Sequence, residues 1–514
     1  MKSSSILPGQ QLSLMKDEPG LSPLDSLPPD TPEQALVTGY TGSLLVVRAY
    51  AGTGKTSTLV KYALRNPNIS MLYLAFNRAI RDEAASKFPH NVDCKTSHQL
   101  AFAALGKRYA HKLSNNLRLT DIVRALAHPS WKEAKLILSV LQAFMASPDD
   151  TITPVLMPEP EEKDGRGRRS ERNFLTDQTV LNAQLIWDRM IDPEDDFPIV
   201  HDGYLKLYQM QSPDLSSRYQ TILFDEAQDS NPVTNAIVLS QHKARIIYVG
   251  DDHQQIYRFR GASNAMKSGL LKNADIMHLT HSFRFGPQVA TVANVLLMLK
   301  GESRPVIGRG GEDQVLRSLP QGATHYTVLC RTVMGVIGNA LMASLAGMKV
   351  YWVGGIRSYQ LGELEDIYWL ALRRPDMVQS SRIKSDFRDY GHYEEVAKAT
   401  KDPEMLRAIA LLDAYSDIPN LIQILHKQSV SNEKAANITV STSHRSKGLE
   451  WHTVVLADDF PDVFDPDLSA ADREDEINLL YVASTRSRRT LVINDAIDLV
   501  LRYAKGLALK KQSE

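Results

Sequence analysis

A lysine and a threonine that close a glycine turn, and two adjacent acids at the end of a distant apolar strand, are the residues of this chain best suited to chemistry on a polyphosphate. The first set reads Ala49-Tyr50-Ala51-Gly52-Thr53-Gly54-Lys55-Thr56-Ser57. It follows the apolar run Leu44–Arg48 and precedes a helical pattern, which is the P-loop layout with Ala49 where the motif usually has its first glycine. Gly52 and Gly54 let the backbone curl until successive N–H groups face phosphate oxygens. Lys55 brings a point charge to the β- and γ-phosphates, and Thr56 offers a hydroxyl to Mg²⁺. The helix that starts here adds its positive end. The expected nucleotide contacts are therefore Ala51, Gly52, Thr53, Gly54, Lys55, Thr56 and Ser57. The bland alternative is an ordinary glycine turn, and a Gly-Lys-Thr triplet directly after a strand argues against it.

The second set, Ile222-Leu223-Phe224-Asp225-Glu226-Ala227-Gln228-Asp229, is a buried-type strand running out into acids. Asp225 is expected to hold Mg²⁺ through its water shell. Glu226 is placed to orient and deprotonate an attacking water. Acidic pairs at strand ends are often only solvated turns; an upstream phosphate cradle favours the chemical reading.

These residues need strands to carry them. From about residue 30 the chain alternates short β-branched runs with helical patterns, the signature of α/β units on parallel sheets. The expected strands are Leu44–Arg48, Met71–Phe76, Thr221–Phe224 and Arg245–Gly250, then Thr327–Cys330, Val350–Val353, Ile438–Val440, Thr453–Ala457 and Thr490–Ile493. Two such series imply two nucleotide-fold domains. Residues 1–29, rich in Ser and Pro, read as a disordered tail. Residues 99–216 read as amphipathic helices; in Trp131–Phe144, Leu136, Val140 and Phe144 share a face with Ile137 and Leu141. Inside them the charged stretch Glu159–Arg172 reads as a mobile loop. A second helical, polar stretch covers about Arg373–Asn437.

Composition excludes more than it selects. The 514 residues carry a net charge of −1, so any groove for a polyanion must be a local basic patch. Two cysteines, Cys94 and Cys330, each lie in an apolar strand-like stretch, which rules out a disulfide scaffold and a CxxC zinc pair. No apolar run has membrane-span length and no signal peptide is apparent. A soluble protein of a reducing compartment is expected: cytoplasmic, and nucleoid-associated if the source is prokaryotic or a phage.

Asp225-Glu226-Ala227-Gln228-Asp229 resembles motif II of superfamily-one helicases of the UvrD/Rep type, and the remaining motifs follow in that family's order. Thr31-Pro32-Glu33-Gln34 is similar to the Q motif, which implies that Gln34 hydrogen-bonds adenine. Ala75-Phe76-Asn77 and Thr96-Ser97-His98 resemble DNA-contacting motifs. Gly250 to Tyr257 resembles motif III, with Gln254 as the γ-phosphate sensor, and continues through Arg258-Phe259-Arg260-Gly261-Ala262. The family usually has Trp where Phe259 stands; a phenyl ring still stacks on a base, for about 1–3 kcal/mol. Ser282-Phe283-Arg284 is similar to the family's Tyr-Arg pair, implying that Phe283 stacks on adenine and Arg284 reaches the γ-phosphate. Thr442 to Glu450 resembles motif V, with Glu450 accepting from the ribose, and Leu480 to Arg486 resembles motif VI, with Arg486 as a second arginine finger.

The resemblance covers roughly Pro32 to Leu501. It implies two RecA-like P-loop motor domains with parallel sheets: 30–98 with 217–277, carrying a helical insertion at 99–216, and 278–372 with 438–505. After Gly354-Gly355-Ile356-Arg357, where UvrD and Rep insert a large accessory domain, only residues 373–437 intervene, so that insertion is reduced. By likeness the DNA contacts are Phe76, Asn77, Thr96, His98, Tyr257, Phe259, Arg260, Arg331 and His444. The cofactors are ATP and Mg²⁺, with ATP held between the two motor domains. The partners are single-stranded DNA and single-strand/duplex junctions, no membrane, and a repair, recombination or nuclease protein.

Within the family the F-box DNA helicase branch is most similar, on Ala51 to Tyr62, Phe76-Asn77, Cys94-Lys95-Thr96 and His201 to Leu207. No F-box-like segment is apparent, so ubiquitin-ligase function is not transferred. The implied activity is an ATP-dependent single-stranded DNA translocase and helicase, 3′ to 5′, acting in DNA repair, recombination or replication. An ATP-driven protein-stripping translocase stays open, as does a motor subunit of a repair or phage-defence complex. So does a P-loop ATPase that does not act on nucleic acid.

Overall fold

The computed structural model describes residues 27–126, 130–158, 169–258, 261, 263–400 and 402–513. The chain divides into two compact units, residues up to Lys107 with Leu205–His281, and Arg108–Tyr204 with Ser282 onward. The expected tail lies outside the described residues except for 27–29, where the Pro28 carbonyl accepts from Lys61 Nζ.

In chain order the first strands are β1 (Leu44–Ala49), β2 (Met71–Ala75) and β3 (Val92–Thr96). The chain then passes through the helical stretch, where β4 (Leu113–Ser114) pairs with β5 (Ile199–Val200). It returns as β6 (Thr221–Phe224), β7 (Arg245–Gly250) and β8 (Asp275–Leu279). Among the described residues β3-β2-β6-β7-β1-β8 form one sheet, and every neighbouring pair is parallel. Strands so placed are buried on both faces, which is why β2 and β6 are continuous apolar runs and not alternating ones. Leu45, Val47, Leu59, Tyr62, Tyr73, Leu223 and Ile247 pack into its core. Each such side chain contributes about 1.5–3 kcal/mol relative to exposure.

The second unit adds the short pair β9 (His281–Ser282) and β10 (Ile307–Gly308), whose first residue closes the first unit. Then come β11 (Gln314–Leu316), β12 (Tyr326–Cys330), β13 (Val350–Trp352), β14 (Ser429–Val430), β15 (Ile438–Thr442), β16 (Trp451–Leu456) and β17 (Ser487–Val492). Their order is β11-β17-β16-β12-β15-β13-β14, again parallel throughout. The two parallel sheets agree with the α/β class and the two RecA-like folds expected from the sequence.

Two sequence expectations need correction. The charged stretch Glu159–Arg172 does not read through as a loop, because a helix runs from Arg169 to Ile191; residues 159–168 lie outside the described residues. Its Arg and Glu residues are good helix formers, so charge there does not exclude a helix. The expected strands also leave out β3, β8, β11 and β14 of the two parallel sheets and the short pairs β4/β5 and β9/β10. β8, Asp-Ile-Met-His-Leu, is an edge strand with two of its five residues exposed and only one buried, so its hydrophobic pattern is weak.

The helical stretch is held to its neighbours inside the second unit. Helix Trp131–Ala146 buries Ile137, Val140, Leu141 and Phe144, with Leu136 half-buried. Residues 373–437 fold as helices Ser381–Asp386, Tyr390–Thr400, Pro403–Ala414 and Ile418–Gln428. Val378, Ile383 and Tyr393 of this module pack with Ile367 and Leu370 of the preceding helix Leu361–Ala371 into one small core.

Candidate functional site

The turn after β1 has the conformation that its glycines predict. Gly52 and Gly54 sit at φ 74° and 77°, a region that costs an L-residue steric strain. Helix Lys55–Arg65 starts directly from Gly54. The turn is tied down on both sides. Tyr50 N donates to Leu279 O at 3.1 Å, and Thr53 Oγ1 donates to Tyr50 O at 2.9 Å. Ala51 and Thr53 are buried, Lys55 and Thr56 are half-buried, and Ser57 is exposed on the first helical turn.

The acids emerge from β6, separated from β1 by β7. Lys55 Nζ lies 3.4 Å from Glu226 Oε1. Thr56 Oγ1 donates to Asp225 Oδ2 at 3.0 Å, and Tyr73 OH donates to the same oxygen at 2.7 Å. The sequence-predicted lysine, threonine and both acids are thus brought together. Burial and then the charge of Glu226 push the Asp225 carboxyl above its usual range, while Lys55 and Tyr73 act the other way. Thr56 and Asp225 supply hard oxygen donors side by side, the few protein ligands that Mg²⁺ takes when phosphate and water complete its shell. Glu226 adopts the left-handed conformation, φ 52° and ψ 38°, which turns it out of the strand direction.

A hydrogen-bond chain that sequence alone did not reveal leads away from Glu226. Gln228 Nε2 donates to Glu226 Oε2 at 2.6 Å, and Gln228 Oε1 accepts from Asp251 N at 3.0 Å. Asp251 Oδ2 accepts in turn from Gln254 Nε2 at 2.7 Å. The candidate base and the candidate γ-phosphate sensor are therefore three links apart in one buried network. Gly250 is required for it, since a Cβ there would stand 2.3 Å from Gln228 Oε1.

Gln34 is anchored by both ends of its amide. Oε1 accepts from Thr31 N at 3.1 Å, completing a capping box, and Nε2 donates to Thr53 O at 3.3 Å. One lone pair and one N–H stay available for a base.

The nucleic-acid candidates of this unit separate into two kinds. Phe76 and Tyr257 stack with centroids 5.3 Å apart and planes at 17°, and Phe76 is exposed. Asn77 and Thr96 cap the helices Arg78–Ala85 and Ser97–Ala104, and His98 is half-buried on the second of them. Phe259 and Arg260 lie outside the described residues.

In the second unit Arg284 Nε donates to Glu450 Oε2 at 2.7 Å, and Nη1 donates to Thr485 O at 3.1 Å. Arg488 approaches the other Glu450 oxygen at 3.7 Å. Phe283, next to Arg284, leaves 48% of its surface exposed. Arg486 is 1% exposed; its Nε donates to Val482 O at 2.9 Å and its Nη1 to Leu449 O at 3.3 Å. Arg331 is engaged by Glu476, with Nη2 to Oε1 at 2.6 Å and Nε to Oε1 at 2.9 Å. Burial opposes its charge, and the bond to Glu476 outweighs that, so its pKa is raised. His444 is half-buried in the turn after β15, beside Arg445, whose guanidinium lies 4.6 Å from the Tyr359 ring centre.

A glycine turn that ends in Lys-Thr, opposed by paired acids at a strand end of a parallel sheet, defines a P-loop α/β protein. The UvrD/REP helicase N-terminal domain matches residues 30–274, and the UvrD-like helicase C-terminal domain matches residues 381–496. The chain belongs to the UvrD-like helicase family. F-box DNA helicase 1 of Gallus gallus is 34% identical over 509 residues, 90% of this chain and 48% of that protein. F-box DNA helicase protein 1 of Schizosaccharomyces pombe is 31% identical over 92% of this chain and 58% of its own length. A probable DNA helicase II homolog of Rickettsia felis is 23% identical, covering 90% of this chain and 92% of that protein. The chain thus spans about half the length of the two F-box relatives. Among the described residues no helix is long and apolar enough to cross a membrane.

Proposed function

We propose that this protein is a DNA helicase: an ATP hydrolase that moves along single-stranded DNA and opens duplexes from single-strand junctions, 3′ to 5′, in repair, recombination or replication. One observation carries the reading: Lys55, Thr56, Asp225 and Glu226 converge at the mouth of a family-typical glycine turn. The segments 30–98 with 217–277 and 278–372 with 438–505 are its motor domains, with 99–216 and 373–437 as insertions.

The chemistry follows from those side chains. Backbone N–H groups of residues 51–57 and Lys55 bind the phosphates. Thr56 and Asp225 would hold Mg²⁺, which when bound neutralises phosphate charge. Glu226, fixed by Gln228 and freed from Lys55 as that lysine turns to phosphate, takes the proton of the attacking water. Gln254 senses the γ-phosphate. Arg284 and Arg486 of the second unit bring guanidinium charge to the phosphoryl oxygens, for about 10³–10⁵ in rate. Phe283 stacks on adenine, with Gln34 at its edge and Glu450 at the ribose. Phe76 and Tyr257 form an aromatic platform for a base; Asn77, Thr96, His98, Phe259, Arg260 and His444 are the further DNA contacts that the family likeness implies. Arg331 is withdrawn from direct phosphate contact in this reading, because Glu476 holds it.

The test is unwinding of duplexes with 3′ or 5′ single-stranded tails while ATP hydrolysis is followed in parallel. Lys55→Ala and Glu226→Gln should lower DNA-stimulated hydrolysis by about 10³ or more, Glu226→Gln retaining ATP binding. Hydrolysis at the wild-type rate in either variant refutes the assignment. Hydrolysis and protein displacement without strand separation would replace the helicase by a protein-stripping translocase.

A further inference from the structure

The short helix Pro32–Thr38 is fastened at more places than adenine recognition by Gln34 requires. Asp30, just before it, accepts from Lys61 Nζ at 2.7 Å and from Arg65 Nη2 at 2.8 Å, which locks it to the helix that follows the phosphate turn. Gln34 reaches the turn itself through Thr53 O. Glu33 points elsewhere. Its Oε2 accepts from Thr280 N at 2.7 Å, its Oε1 from Thr280 Oγ1 at 2.7 Å, and His281 Nδ1 lies 3.3 Å from Oε2. Thr280 and His281 close the first unit, whose boundary falls between His281 and Ser282, so Phe283 stands two residues beyond the clasped segment.

We propose that Glu33 is a positioning residue for the base: by clasping Thr280 and His281 it sets the exit direction of the chain that presents Phe283 to adenine. The inference rests on the reading of Phe283 as the base platform. Burial pushes the Glu33 carboxyl up, but donation from the Thr280 backbone, the Thr280 hydroxyl and His281 outweighs it, so the group is held below its ordinary value and stays ionised at neutral pH. A charged acceptor with paired donors makes the stronger kind of hydrogen bond. Direct contact with phosphate is not part of this role, since the Glu33 oxygens are occupied by Thr280 and His281. Two residues at adjacent positions of one helix thereby hold two different segments of the first unit, Gln34 the phosphate turn and Glu33 the Thr280–His281 end.

The experiment measures the affinities of the full chain for ADP and for inorganic tripolyphosphate by calorimetry. Glu33→Ala should weaken ADP by about tenfold and leave tripolyphosphate unchanged within about twofold, since one to two charged hydrogen bonds are lost from the base side only. Glu33→Gln keeps one acceptor for Thr280 N and should weaken ADP by about threefold; it carries the test if the alanine variant does not fold. Equal weakening of both ligands, or an unchanged ADP affinity, overturns the proposal. Phe283→Ala separates the two levels. If it leaves ADP affinity unchanged, the underlying base-platform reading fails, and the role of Glu33 through Phe283 with it. If it weakens ADP but Glu33→Ala does not, only the role of Glu33 fails. In the double variant the effects should be less than additive, as for residues that act as one unit; full additivity also overturns it.

Discussion

The charged groups of the first unit and those of the second are held in opposite ways. In the first, Lys55 pairs with Glu226 and the Thr56 hydroxyl bonds Asp225 across the mouth of the turn, and the buried relay through Gln228 and Asp251 to Gln254 fixes the acid wall. In the second, Arg284 is held by a partly exposed carboxylate, Glu450, and one carbonyl, Thr485, while Arg486 is sunk among carbonyls of its own unit. An ion pair with one solvated partner exchanges cheaply for a phosphate, because such pairs are worth only about 0–1 kcal/mol. A guanidinium bonded to buried carbonyls leaves those acceptors unmatched if it departs, at about 1–3 kcal/mol each. Arg284, with one carbonyl bond to Thr485 beside its ion pair, is thus held less firmly than Arg486, which is buried on carbonyl bonds to Val482 and Leu449.

Three substitutions would break or sharpen that contrast. The largest effect is expected from Arg486→Lys, which cannot reproduce the guanidinium fork: DNA-stimulated hydrolysis should fall by about 10³. If thermal stability drops while turnover per folded molecule persists, Arg486 is a structural pin and not a finger. Gly250→Ala strikes the relay of the first unit by forcing a Cβ against Gln228 Oε1. Its turnover should fall by about 10–100-fold with ADP affinity kept, the cost of misplacing a base by a fraction of an ångström; parallel loss of ADP binding would mean that the whole turn has shifted. Glu450→Gln should be mildest. It releases Arg284 at the expense of the ribose contact, so an ATP KM raised by about two- to fivefold with kcat preserved is expected. A collapse of kcat would show that Glu450 must aim the arginine.

Most of the first unit's site could be read from the residues because its signal is local. A strand, a glycine turn and a helix start occupy one short stretch, and the acids end another strand whose bounds the structure reproduces at Thr221–Phe224. Strands buried on both faces announce themselves as apolar runs, whereas the edge strand Asp275–Leu279 does not. What escaped depends on partners far apart in sequence. Nothing local says that Phe76 will lie on Tyr257, or that Gln228 will reach back to Glu226 and forward to Asp251. Likeness alone implies Arg331 as a DNA contact, and nothing near it in sequence announces its partner Glu476, 145 positions away. The onset of the helix at Arg169 is not legible in the sequence, because its first residues are charged and follow Gly165 and Gly167.

The left-handed backbone at Glu226 has a price in durability. Glycine or asparagine would sit more comfortably at φ 52°, by up to about 1–2 kcal/mol, than the residue the chain keeps there. Glu226→Gly should therefore yield a protein that melts later and turns over nothing. A heat-hardened but silent variant would mean that this molecule has given up robustness at one peptide unit to aim one carboxylate.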